Sequence, residues 1–113
     1  MTAPPAPFEI QESSQDGLVC LSLTGELDRF GATVLENRLA SLRAPRSPVR
    51  LDLSRLDFID SSGIRLLIQT IGEARLKHWD VEIDPHLSPQ VERLFKLVHL
   101  DHFVLSARAP RGG

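Results

Sequence analysis

Apolar and polar residues alternate through Phe8-Glu9-Ile10-Gln11-Glu12, the two-residue period of a half-buried strand. Gln15-Asp16-Gly17 is a turn signal, and the more continuously apolar Leu18 to Leu23 predicts an inner strand paired with the first as a hairpin. Thr24-Gly25-Glu26-Leu27-Asp28 reads as the break after that strand. Asp28 can cap a helix whose apolar stripe is Phe30, Val34, Leu35, Leu39 and Leu42, ended by Pro45 and Pro48. Val49 to Leu53 predicts a third strand, bounded by Ser54-Arg55. A second helix runs from Ser61 to about Lys77, with Ile64, Leu67, Ile68, Ile71 and Ala74 on its buried face. Trp79 to Ile83 is a short strand stopped by Asp84-Pro85. Ser88-Pro89 supplies a capping hydroxyl and a proline at the first helical position, and Val91, Leu94, Phe95 and Val98 form that helix's stripe. His102 to Leu105 either adds a last short strand or packs as a tail.

Strands that alternate with helices favour parallel pairing through right-handed crossovers, while the opening hairpin makes the sheet mixed. Each helix has one apolar stripe, so the simplest layout sets the helices on one face or side of one small sheet. No internal repeat is visible. Residues 1–7 and 106–113, rich in Pro, Ala, Gly and Arg, are expected to be flexible tails around a single domain at 8–105.

Composition narrows the function classes. A chain of 113 residues with 42% apolar content supports one domain with one modest core. A formal net charge of −2, with scattered Lys and Arg, gives no footprint for direct nucleic-acid binding or an anionic membrane surface. The single cysteine, Cys20, excludes an internal disulfide and a cysteine-based zinc cluster, and its apolar surroundings predict a buried structural thiol. No apolar stretch approaches the ~20 residues that span a bilayer, and the N-terminus lacks a signal-peptide pattern. The expectation is a cytoplasmic protein with no membrane insertion.

The candidate chemistry sits at Asp60-Ser61-Ser62-Gly63, where a strand gives way to a helix. Helix N-termini carry free N–H groups and a positive dipole end. Asp and Ser are favoured caps, so one reading of the tetrapeptide is a helix cap and nothing else. Gly63 in the first turn costs helix stability, which asks for a reason such as close backbone approach. Read instead as a phosphoacceptor, Ser61 would carry a dianion that Asp60 and Asp28 push outward. Ser62, Arg65, Leu66, Gln69, Glu73 and Leu76 lie opposite or beside the buried face of this helix. Leu66 and Leu76 are then either ordinary exposed leucines or part of a partner-docking patch.

Catalysis is poorly supported, and the protein is read as a non-enzyme. Ser61 lacks a Gly-x-Ser-x-Gly elbow, and no His is placed by sequence to serve it. Glu26 and Asp28 fit a loop and a cap better than an acid/base pair. His99 and His102 fit a packed or solvated pair better than a metal site. No glycine-rich phosphate-cradling loop is present, and no cofactor is expected.

The segment from Asp52-Leu53-Ser54 through Phe58-Ile59-Asp60-Ser61-Ser62-Gly63-Ile64 resembles the signature of STAS domains, specifically of bacterial anti-sigma factor antagonists. Gly25-Glu26-Leu27-Asp28 and the stretch Val91 to Phe103 are similar to two further elements of that family, so the likeness covers about residues 8 to 105. It implies an α/β fold, a small mixed sheet of four to five strands flanked by three to four helices. It also implies a binding function. The unmodified antagonist binds a serine-kinase anti-sigma factor and frees a sigma factor; phosphorylation of the first serine, here Ser61, breaks the complex; a serine phosphatase resets it. Carried over by position, the partner-binding surface comprises Asp28, Asp60, Ser62, Gly63, Arg65, Leu66 and Gln69. Arg65 departs from the family pattern, in which a small residue is common; a cation there selects a partner or pairs with the phosphate. Two other roles stay open. One is a non-phosphorylated STAS accessory subunit or scaffold, for instance in a transporter or signalling complex. The other is a sensor of a small ligand or nucleotide.

Overall fold

A computed structural model describes residues 7–99. The tails, His102 and the short strand expected at His102 to Leu105 lie wholly or almost wholly outside that range. The elements run β1 (Glu9–Gln15), β2 (Leu18–Leu27), α1 (Arg29–Arg43), β3 (Val49–Ile59), α2 (Ser61–Leu76), β4 (Val81–Ile83) and α3 (Pro89–Leu97). They build one α/β domain on a four-stranded mixed sheet in the order β1-β2-β3-β4. β1 and β2 pair antiparallel across the Asp16-Gly17 turn, where both residues take positive φ. β2, β3 and β4 run parallel, each joined to the next by a helical crossover.

Leu21, Leu23 and Leu27 of β2 and Val49, Leu51 and Leu53 of β3 are buried in one cluster with Leu35, Leu39, Leu67, Ile71, Val91 and Phe95 of the three helices. The alternate positions Ser22, Thr24, Arg50 and Asp52 are half-exposed, so the helices cover one face and leave the other open. Cys20 lies half-buried among these alternate positions rather than in the core, a correction to the buried thiol expected from its apolar neighbours. On the open face Arg50 pairs with Glu82 at 2.6 Å, and the Ser22 hydroxyl donates to Asp52 at 3.3 Å.

The inner strands are longer than their apolar runs. β2 continues through Leu27 and β3 through Ile59, past the breaks expected at Thr24 and Ser54. Buried positions in β3 run Val49, Leu51, Leu53 and then Leu56 and Ile59. Two register shifts explain the change of spacing. Ser22 faces Asp52 but Thr24 faces Arg55, and Gly25 faces Leu56 but Glu26 faces Phe58. At each shift β3 holds one residue more than its partner, a bulge that keeps the next apolar side chain turned inward. Gly25 takes φ +84 beside these shifts, a backbone state that glycine adopts without penalty.

Ser88 ties α3 to the sheet. It is buried; its hydroxyl donates to the Leu56 carbonyl at 2.6 Å and accepts from the Val91 N–H at 3.4 Å. Its own N–H bonds the Leu53 carbonyl. At the far end of α1, Arg43 pairs with Glu73 of α2 at 3.0 Å and lies over the Trp79 ring. Trp79 donates its indole N–H to the Ser47 carbonyl at 2.7 Å. Ser88→Ala removes a cap and leaves the Leu56 carbonyl without that partner, so chemical denaturation should show a loss of about 1–2 kcal/mol.

Candidate functional site

Parallel pairing brings Leu27 of β2 opposite Ile59 of β3, so the residues that follow, Asp28 and Asp60, stand side by side at the carboxyl ends of the strands. Each caps the next helix from extended backbone. The Asp28 carboxylate accepts from the Gly31 N–H at 2.9 Å. The Asp60 carboxylate accepts from the Ser62 N–H at 2.8 Å and the Gly63 N–H at 3.2 Å. The same four-residue device, Asp-x-x-Gly, therefore opens both helices. It is a local repeat that the sequence reading missed, and its signal was the recurrence of Asp28-Arg29-Phe30-Gly31 as Asp60-Ser61-Ser62-Gly63.

The glycines answer the question of close approach. A Cβ on Gly63 would lie 2.7 Å from the Leu27 carbonyl oxygen and 2.8 Å from both Ile59 Cγ1 and Leu27 Cγ. A Cβ on Gly31 would lie 2.9 Å from the Glu26 carbonyl oxygen and from Phe8 Cγ. Each helix thus touches the end of β2 through a glycine, and that contact fixes which side faces the sheet. The buried set of α1 is Gly31, Leu35, Leu39 and Leu42, while Phe30 is 73% exposed and Val34 is also exposed. The buried set of α2 is Gly63, Leu66, Leu67, Thr70, Ile71 and Ala74. Relative to the expected stripes, both helices are turned toward their glycines.

This rotation corrects two expectations. Leu66, expected on the wet side, is only 8% exposed and forms part of the groove between α1 and α2. Ile68, expected in the core, is 43% exposed, and Ile64 is half-buried. Gly63 is buried and makes the helix–strand contact, so it is structural rather than a surface presented to a partner. Leu76 is exposed, as expected.

Ser61 is exposed and Ser62 half-buried. Two grooves flank them. The first, about 300 Å³ between α1 and α2, is lined by Arg29, Thr33, Ser62, Arg65, Leu66 and Gln69 among others. The second, about 410 Å³, is mostly apolar and is lined by Ser61, Ile64, Arg65, Ile68, Gln69 and Val98. Arg65 and Gln69 are exposed and border both. The structure thus gathers Ser61, Ser62, Arg65 and Gln69 on one surface, with Asp28 and Asp60 holding its rim. Ile64, Ile68 and Val98 belong to the same surface and were missed, because periodicity fixes the presence of a helical stripe better than its rotation.

Among the described residues no group of three His, Cys, Asp or Glu side chains could hold a metal ion. No helix among them is long and apolar enough to cross a membrane.

Comparison with known proteins places this geometry in a family. The model of the family described as "Mlab, STAS domain" matches residues 10–106. The anti-sigma-B factor antagonist of Bacillus subtilis (strain 168) is 22% identical over 105 residues, covering 93% of this chain and 94% of the relative. The crystal structure of an anti-sigma factor antagonist from Mycobacterium paratuberculosis superposes with a TM-score of 0.68 at 26% identity, over 86% of this chain and 82% of that one. The antagonist SpoIIAA has the same fold in its unphosphorylated form, with a TM-score of 0.66 at 21% identity over 85% of this chain and 84% of that one.

Gly63→Ala should lower stability by about 1–3 kcal/mol, read as a fall in the melting midpoint on the order of 5 °C or more. Gly72→Ala, on the same helix with nothing within 4 Å of the added methyl, should instead leave the midpoint unchanged or raised. With the family model matched over residues 10–106, the chain belongs to the STAS domain family.

Proposed function

We propose that this protein is an anti-sigma factor antagonist whose unphosphorylated form binds a serine-kinase anti-sigma factor and so releases a sigma factor. In this reading the kinase phosphorylates Ser61, the complex dissociates, and a serine phosphatase restores the binding form. The observation that carries it is the exposed Ser61 at the start of α2, on the border of an apolar groove. Support also comes from the antagonists among the relatives. The protein acts by binding rather than by catalysis.

The switch follows from desolvation and charge. In the unmodified state a neutral hydroxyl borders Ile64, Ile68 and Val98, an apolar surface that a partner can cover while an acidic group of its own meets Arg65 at the edge. Phosphorylation adds about 1.5 to 2 negative charges at that border. The nearby Ser62 and Gly63 N–H groups already bond the Asp60 carboxylate, so they are poorly placed to absorb the new charge. A mismatch of ~3 kcal/mol at an interface shifts the binding constant on the order of a hundredfold. No refolding is needed, because the core contacts of α2 lie on its other side.

Incubation with a co-encoded serine kinase and ATP should raise the intact mass by about 80 Da. The gain should map to Ser61 and vanish in Ser61→Ala. Stable binding of such a kinase with no mass gain would overturn the switch and favour the accessory-subunit role. The docking face has its own test. Ile68→Asp should weaken kinase binding at least tenfold in a titration while the melting midpoint stays within a few degrees. Leu66→Asp, which buries a carboxylate under α1, should unfold the domain instead. Unchanged affinity in Ile68→Asp would rule out this face.

A further inference from the structure

The geometry points to Arg65 as the receiving group for a phosphate on Ser61, closing a phosphoserine–arginine pair along the first turns of α2. Its biological meaning rests on the phosphorylation reading above, whereas its test does not. Ser61 and Arg65 stand four residues apart in α2 and both line the apolar groove. Residues at this spacing are neighbours on a helix surface, with Cβ atoms about 5–6 Å apart. Helical side chains also lean toward the N-terminus, so the Arg65 stem runs back over the turn that holds Ser61. Four χ angles then let the guanidinium meet a phosphate on the serine.

The other groups around the site favour this pairing. Arg65 is exposed and forms no ion pair among the described residues, so its cation is uncommitted. Several other cations of the two helices are committed: Arg38 pairs with Glu12, Arg43 with Glu36 and Glu73, and Lys77, at the C-cap of α2, with Glu73. Both carboxylates at the rim serve their own caps. Asp60 holds the Ser62 and Gly63 N–H groups, and Asp28 holds the Gly31 N–H. Arg29, at the start of α1, borders the Ser62 side of the neighbouring groove and not the Ser61 side. A phosphate on Ser61 therefore meets Arg65 first.

The consequence reaches the binding surface. With Ser61 unmodified, Arg65 offers a free cation between the two grooves, available to an acidic group on a partner. A phosphate on Ser61 draws that cation back onto α2. Modification thus does two things at once: it brings in negative charge and it withdraws a positive contact. An arginine suits this better than a lysine, since its planar fork can bond two phosphate oxygens together.

The test uses the full chain with phosphoserine installed at position 61 during translation, so that no kinase is required. The second ionisation of the phosphate is followed by ³¹P NMR across pH. An ordinary phosphoserine titrates near pH 6. Arg65 favours the dianion, so its pKa should fall, and the pair should be complete above the ordinary value and lost as pH drops through the lowered one. Arg65→Gln should raise the midpoint by about half a unit or more, Arg65→Lys should recover part of the depression, and Arg29→Gln should have little effect. Coincident titration curves for the parent and Arg65→Gln would overturn the pair, even where a kinase is found to modify Ser61. A lowered midpoint that depends on Arg65 would uphold it, even where no kinase does so.

Discussion

The site depends on how the starts of α1 and α2 are pressed against the end of β2. Each helix begins with an aspartate that satisfies backbone N–H groups and, three residues on, a glycine that lets the first turn approach a strand carbonyl. Cap and contact act together. The cap sets where the helix starts, and the absent side chain sets how near it comes and which way it faces. With both helices anchored in this way, every exposed residue on their first turns takes a defined position. Ser61, Arg65 and Ile68 are surface residues because Gly63 and Leu66 are not.

Much of this was legible in the residues. The element order, the mixed sheet, all three helices and their capping residues followed from period, turn and capping signals that are local. What escaped was set by contacts between distant segments. The inner strands outran their apolar runs because β3 carries bulges that only pairing with β2 reveals. The stripes of α1 and α2 were misjudged by a fraction of a turn, because Phe30 and Ile68 look like core residues by hydrophobicity. A glycine, having no hydrophobic signal, decides otherwise. The same cause moved Leu66 from surface to core. Asp60, Ser61 and Arg65 were legible as candidates, while the apolar border of Ile64, Ile68 and Val98 required the fold.

The two ends of the helical layer differ in character. Around Trp79, the Arg43–Glu73 pair and a hydrogen bond to Ser47 tie α1, α2 and the β3 entrance together. Around Ser61, exposed apolar side chains and an unpaired arginine border open grooves. Charged and aromatic groups are drawn together at one end and left available at the other. Such an asymmetry suits a domain that keeps its shape while its binding capacity changes. The STAS fold supplies the frame, and in the proposed function the exposed turns of α2 are what a partner recognises.

Asp60 occupies the amide groups at the head of α2 with a carboxylate of the chain's own. In the proposed switch, that cap is in place before a kinase would act and remains in place after a phosphatase would have acted. In the proposed switch, neither chemical state has to be rescued from a partly unravelled turn. How long the protein spends in each state would then be a matter of enzyme supply, with the domain acting as an impartial register that can be written and erased many times without wear.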